Sequence, residues 1–280
     1  MVGEPGGPGV GPAGLTDTGP DSAGLTRGLR AGYEAAADWW AAGPERVYAP
    51  LAAALVGAAA RPAAGCRVLD LGAGTGVAGR AALAAGARQV VAADMAMPML
   101  RRCRPTLRPV AADAAALPFA SGRFDLVVAA FVLGHLGSLT SGLAEARRVG
   151  QELAASAFPA GWTHPAKTGV DAALRSYGYR PPAWYSAFKH ETEARAGDPA
   201  VLAGRARAAG FTEVRVRTIV VPTGVSAPGQ LASWRLGMAH IAPFLSSLDP
   251  AGQAGLRRAA VAAVTGCPPL TVPMVVLTAR

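Results

Sequence analysis

Between residues 66 and 158 the chain switches between two kinds of apolar pattern, and that alternation restricts the folds open to it. The short runs CRVLDL (66–71), QVVAAD (89–94), LRPVAAD (107–113), FDLVVAAF (124–131) and ELAASAF (152–158) read as strands buried on both faces. Helix-length stretches fall between them: VAGRAALAA (77–85), AMPMLRRC (96–103) and LTSGLAEARRV (139–149). Strands alternating with helices need crossover connections. The pattern therefore predicts an α/β fold, a mostly parallel sheet with helices on both faces.

The flanks complete the organisation. Residues 1–24 are rich in Gly and Pro and nearly lack large apolar groups, so they cannot offset their ordering entropy and are expected to be a disordered tail. Residues 25–280 form one expected domain. Its helical arm (25–62) contains helices at 25–42 and from Pro44 toward 60, and the core spans 66–158. Residues 159–197 lose the rhythm and read as a helical insertion capping the open end of the sheet. The part from 198 to 280 carries a helix at 198–211, a strand at 213–221, helices near 227–245 and 249–265, and a closing strand at 273–280.

The net charge of +9 over 280 residues invites a nucleic-acid reading. Against it, only Lys167 and Lys189 are lysines, and the arginines are scattered. Their tightest group, Arg101, Arg102, Arg104 and Arg108, falls on a helix and its exit and reads as a solvated face. No apolar run reaches membrane-spanning length, and the first 25 residues have no signal-peptide pattern, so a cytoplasmic location is expected. Cys66, Cys103 and Cys267 lie far apart without metal-ligand spacing and are expected to be buried free thiols.

The loop after the first strand, DLGAGTG (70–76), is where an open α/β sheet binds ligands. Bare backbone there lets a ligand approach, and the helix starting at Val77 directs its positive end to the same spot. The spacing is not G-x-G-x-x-G, because Val77 stands where the third glycine would fall, and no Lys-Ser or Lys-Thr follows to make a phosphate loop. Taken singly, Asp70 could bind backbone amides, Asp94 could cap the helix at Ala96, and Asp113 could serve a turn.

Taken together, DLGAGTG and the acids ending the next two strands resemble the class I S-adenosylmethionine-dependent methyltransferases. LPFASGRFDLVVAAFVLGHL, with Asp125 opening the fourth strand, is similar to a later motif of that family. The resemblance implies a Rossmann-like, seven-stranded sheet whose last strand is antiparallel beside the sixth, with an N-terminal helical lid. It implies S-adenosylmethionine as cofactor, held by Asp70, Gly72, Ala73, Gly74 and Gly76. Asp94 would bind the ribose, Met95 would pack on adenine, and Asp113 with Ala114 would accept from and donate to it, with Ala130 at the fourth strand's end. One departure is visible: EARRVGQELAAS lacks the family's Arg-Pro-Gly-Gly turn before the fifth strand, so that connection is compressed.

The general shape is nearest the small-molecule subgroup associated with quinone and natural-product methylation. In-line methyl transfer depends on positioning, and a general base adds about 10²–10⁴-fold where the acceptor loses a proton. His135, after the fourth strand, is the candidate base, and Tyr33 on the lid is the second catalytic candidate. Trp162, His164, Tyr177, Tyr179, Trp184, Tyr185 and His190 are candidates for an aromatic acceptor pocket, with ordinary packing as the other reading. The expected function is methylation of a small aromatic or lipophilic metabolite, rather than of RNA or protein, or a non-catalytic cofactor-binding role.

Overall fold

The structure, a computed structural model, describes residues 22–280. Most of the expected tail therefore lies outside the described residues, while residues 22–24 belong to the first helix. That helix, α1 (Ser22–Ala42), is followed by α2 (Pro44–Ala58), which opens on Pro44 as expected. The core then alternates as β1 (Arg67–Leu71), α3 (Val77–Ala84), β2 (Gln89–Asp94), α4 (Met97–Arg101), β3 (Arg108–Ala111), β4 (Phe124–Ala130), α5 (Leu139–Val149) and β5 (Gly150–Ala157). The compressed connection is real: α5 runs into β5 with no intervening residue. Strand β3 is shorter than expected and stops at Ala111, leaving Asp113 two residues beyond it.

The insertion is helical: α6 (Pro165–Ser176), α7 (Ala183–Ala187), a π-helical turn (Phe188–Thr192) and α8 (Glu193–Ala196). Then come α9 (Pro199–Ala208), β6 (Val214–Pro222), α10 (Pro228–Leu236), α11 (Ala242–Ser247), α12 (Pro250–Ala263) and β7 (Thr271–Ala279). The single helix expected at 227–245 is thus two, broken at Gly237. Both α9 and α12 start on Asp-Pro: the carboxylates of Asp198 and Asp249 accept from first-turn amides, and the proline fills a position whose N–H would be idle.

The seven strands order as β3-β2-β1-β4-β5-β7-β6, with β7 antiparallel to both neighbours and the remaining pairs parallel. Strand residues alternate between two cores. Val68, Val90, Ala92, Leu126, Val128 and Ala154 face one helical layer, and Leu69, Val91, Val127, Leu153 and Ala155 face the other. Each fully buried Leu or Val contributes about 1.5–3 kcal/mol, which explains why the middles of these strands are apolar and their polar residues sit toward the ends. Asp125 is one of these. Near the start of β4 it accepts from Arg67 Nε, Arg67 Nη2 and the Arg67 backbone, which hold its carboxyl down to about 2.

The strand order reverses between β1 and β4, placing a crevice at their C-terminal ends. Helix α1 closes over it. Gly28 and Gly32, one turn apart, leave a flat seat for the Trp184 indole, since an added Cβ would stand 2.5 Å and 2.9 Å from that ring. The arginine group is solvent-facing as expected, with Arg102 paired to Asp38 on α1. Cys66 and Cys103 are buried and Cys267 is half-buried; all three are free. No helix among the described residues is long and apolar enough to cross a membrane.

Candidate active site

The chain leaves β1 through three glycines with left-handed backbones: Gly72 (φ 67), Gly74 (φ 54) and Gly76 (φ 87). They are bare for different reasons. A Cβ on Gly72 would sit 2.2 Å from Val132 Cγ2, and one on Gly76 would sit 2.6 Å from Leu107 Cδ1, so protein packing excludes side chains there. At Gly74 an added Cβ would meet only Met99 Cε at 3.6 Å. Of the three, Gly74 is the one whose missing side chain leaves room in the crevice.

Asp70 is 1% exposed, and its Oδ2 accepts from the Gly79 amide at 2.6 Å, tying the strand end to the first turn of α3. Burial drives its carboxyl up to about 7, against that amide's pull. The amide-binding reading of Asp70 is therefore correct, although the residue also lines the crevice. Next to it, Thr75 Oγ1 is buried with no hydrogen-bond partner among the described residues.

Asp94 ends β2 and turns back toward the loop. Its Oδ2 accepts from Gly74 N and its Oδ1 from Ala96 N, both at 2.8 Å. Burial pushes its carboxyl up, while these amides and that of Met95 pull the other way. Two strand ends are thus clamped together, and each oxygen keeps acceptor capacity. Asp113 does not end a strand. It is exposed in a turn, with Oδ1 accepting from Ala115 N at 2.8 Å. It still lines the crevice beside Ala114, with Met95 on the same wall.

At the end of β4, Ala130 lines the crevice, and Phe131 takes a left-handed backbone (φ 58), which a bulky residue rarely adopts. Its amide is held by Ser156 O at 3.0 Å. The following 3₁₀ turn (Leu133–His135) delivers His135, whose Nε2 lies 2.9 Å from Tyr33 Oη on α1. The two catalytic candidates, 102 residues apart in sequence, are in direct contact. Burial lowers the His135 imidazole to about 4, opposed by the carbonyls of Phe131 and Val132, and burial raises the Tyr33 phenol, helped by Asp94 and Tyr185. Near pH 7 the pair is a neutral imidazole beside a protonated phenol.

Loop and strand ends share one cavity of about 290 Å³ with a chamber roofed by the insertion and α10. Of the seven aromatic and histidine candidates, Trp162, Trp184 and Tyr185 line it. The others do not. His164 caps α6, accepting from Ala166 N through Nδ1; Tyr177 is exposed; Tyr179 donates to His240 O; and exposed His190 bonds Ser186 O. Phe158, Phe188 and Trp234 complete the aromatic wall.

Sequence reasoning missed the chamber's charge. Lys167, Lys189 and Arg235 all line it, as does buried His240, which stacks on Tyr185 at 3.5 Å. Arg235, 5% exposed, grips Asp171 with Nε and Nη2 at 2.8 and 2.9 Å. Burial lowers both lysines to about 8. Arg235 lowers Lys167 further against the pull of Asp171, and Lys167 and Arg235 lower Lys189. A sequence signal existed: the chain's only two lysines both lie within the aromatic stretch from Trp162 to His190.

Residues 68–152 match the family described as "Methyltransferase domain". A demethylmenaquinone methyltransferase of Beutenbergia cavernae is 39% identical over 132 residues, which cover 46% of this chain and 53% of that protein. The match thus spans about half the length of that relative. One of the same name from Thermobifida fusca is 34% identical over 173 residues, covering 54% of this chain and 71% of the relative. Among solved structures, one described as a methyltransferase from an antibiotic biosynthesis pathway of Anabaena variabilis superposes with a TM-score of 0.58 at 14% identity. That superposition covers 85% of this chain and all of the other, and shares the fold.

Proposed function

The chain belongs to the class I S-adenosylmethionine-dependent methyltransferases, and from that premise we propose that it methylates a small aromatic acceptor held in the chamber under α1 and the insertion. One observation carries the reading: a single cavity joins the glycine and carboxylate strand ends to an aromatic wall, with the Tyr33–His135 pair lining it. The demethylmenaquinone named for the relatives supports an aromatic acceptor.

The residues present fit the cofactor. Thr75 Oγ1, buried and without a hydrogen-bond partner among the described residues, and the N-terminus of α3 suit its amino-acid carboxylate. Gly74 leaves room beside Asp94, whose remaining acceptor sites suit the ribose hydroxyls, and Met95, Asp113 and Ala114 line the wall where adenine would lie. Bound there, the cofactor supplies a methyl group on a sulfonium with a good leaving group.

The chain's own residues orient and deprotonate the acceptor. Helix α1 covers the cavity and excludes water, and the Trp162, Trp184 and Phe188 rings hold a planar acceptor. The neutral His135 Nε2 receives a proton from an acceptor hydroxyl through the Tyr33 phenol. Because burial makes this imidazole a weak base, the proton moves with the methyl group rather than ahead of it. A labelled-methyl assay against a small-metabolite extract, with total RNA in parallel, tests the proposal. Label in small organic products supports it. Label in RNA alone, or no label despite micromolar cofactor binding, rejects it.

A further inference from the structure

On the insertion side of the cavity the cations outnumber the carboxylates that answer them. Lys167, Lys189 and Arg235 line it there and act electrostatically on one another or on His240, whereas Asp70, Asp94 and Asp113 line the crevice end and are not among the groups that shift either lysine. Two carboxylates answer them: Asp171 is taken by Arg235 in a two-point fork, and Glu193 is paired with Lys189. Lys167 has no carboxylate within ion-pair distance among the described residues. Its ammonium donates to the Trp162 carbonyl at 3.2 Å and lies 4.8 Å from the centre of the Trp162 ring. A net positive charge beside buried aromatic rings is costly unless a counter-charge arrives with the ligand.

Other groups there also await a partner. His240, 5% exposed, leaves Nε2 buried with no hydrogen bond among the described residues. Burial, then Arg235, Lys189 and Lys167, hold this imidazole neutral, so it adds no charge of its own. Both lysines of a chain that otherwise uses arginine face this space, and an ammonium suits a compact oxyanion approached from one side.

We infer that the acceptor carries an anionic oxygen group, a carboxylate or a phosphate, seated between Lys167, Lys189 and Arg235 while its ring lies on the aromatic wall. This rests on the methyl-transfer reading for the occupant being the acceptor. The anion neutralises the surplus charge and fixes the ring's rotation about the wall, which decides the atom presented for methylation.

The test is calorimetry on the full chain saturated with S-adenosylhomocysteine, titrated with three probes sharing one ring: 1-hydroxy-2-naphthoate, 1-naphthyl phosphate and neutral 1-naphthol. At least one anionic probe is expected to bind about tenfold or more tighter than naphthol. The preference falls toward one in Lys167→Gln/Lys189→Gln, whose S-adenosylhomocysteine affinity and melting temperature stay near wild type. The phosphate and carboxylate arms tell the two sources apart. Equal affinities, a preference for naphthol, no binding of either anion, or a preference that survives in the double variant would overturn the inference. Loss of S-adenosylhomocysteine binding alone, with an anion still preferred, would instead remove the methyl-transfer reading.

Discussion

Gly72→Ala is expected to destabilise the protein by about 2–5 kcal/mol, and the structure divides that figure into two separable parts. The first is conformational: an alanine held at φ 67 costs about 1–2 kcal/mol. The second is steric. The new Cβ would stand 2.2 Å from Val132 Cγ2 and 2.5 Å from Val132 Cβ. Rotating a β-branched side chain cannot move its own Cβ, so the backbone must shift, at about 1–3 kcal/mol. Val132→Gly removes every atom in the clash but leaves the left-handed backbone. In a double-mutant cycle the pair should therefore show a favourable coupling of about 1–3 kcal/mol, leaving the conformational part. Urea unfolding of the four proteins, followed by circular dichroism with a shared m-value, measures this. Strict additivity, or a Gly72→Ala effect below about 0.5 kcal/mol, would refute the claim that packing against Val132, just past β4, dictates the first glycine.

Asp94→Ala should weaken S-adenosylhomocysteine binding tenfold or more in calorimetry, since charge-assisted hydrogen bonds are worth about 1.5–3 kcal/mol; unchanged affinity would reject the ribose assignment. His135→Ala should lower turnover by about 10²–10⁴-fold while leaving cofactor affinity nearly intact, and Tyr33→Phe should lower it less; full turnover in His135→Ala would leave that residue a packing role. With His135 near 4, turnover should lose activity on the acid side only below about pH 5, with no inflection near 6.5. Binding of an anionic acceptor should weaken as pH rises through about 8, where Lys167 and Lys189 lose their protons. Asp70 is raised from the usual 3.8 to about 7, so its contribution to stability is fully present below pH 3.8 and is lost as pH climbs through 7. That move corresponds to about 4 kcal/mol, and comparing Asp70→Asn with wild type by urea unfolding between pH 4 and 8 isolates it from the opposite slope due to His135.

The core was legible because buried parallel strands must be apolar through their middles, and each of the five runs between 66 and 158 is a strand. The strand ends were less so. Ala112 and Asp113 continue the composition of β3, yet a turn closed by Asp113 and Ala115 had already begun, and nothing in an alanine-rich run marks that change. The break in the expected 227–245 helix was signalled by Gly237 alone, in a stretch where Met238 and Ile241 keep the helical spacing. For the site, the glycines and the acids Asp70 and Asp94 on neighbouring strand ends were readable because strand order brings local motifs together. The contact of Tyr33 with His135 and the cluster of Lys167, Lys189 and Arg235 were not. Each joins segments on separate helices, and a lone cation on a helix reads as solvated until the fold shows what faces it.

A crystal structure of the chain with S-adenosylhomocysteine decides whether the crevice is the cofactor site. The ribose hydroxyls are expected on Asp94, adenine between Met95 and Ala114, the amino-acid carboxylate at Thr75 and the start of α3, and the sulfur facing the Tyr33–His135 pair. Ligand bound elsewhere, or a crevice between β1 and β4 filled by side chains with the ligand excluded, would contradict that assignment.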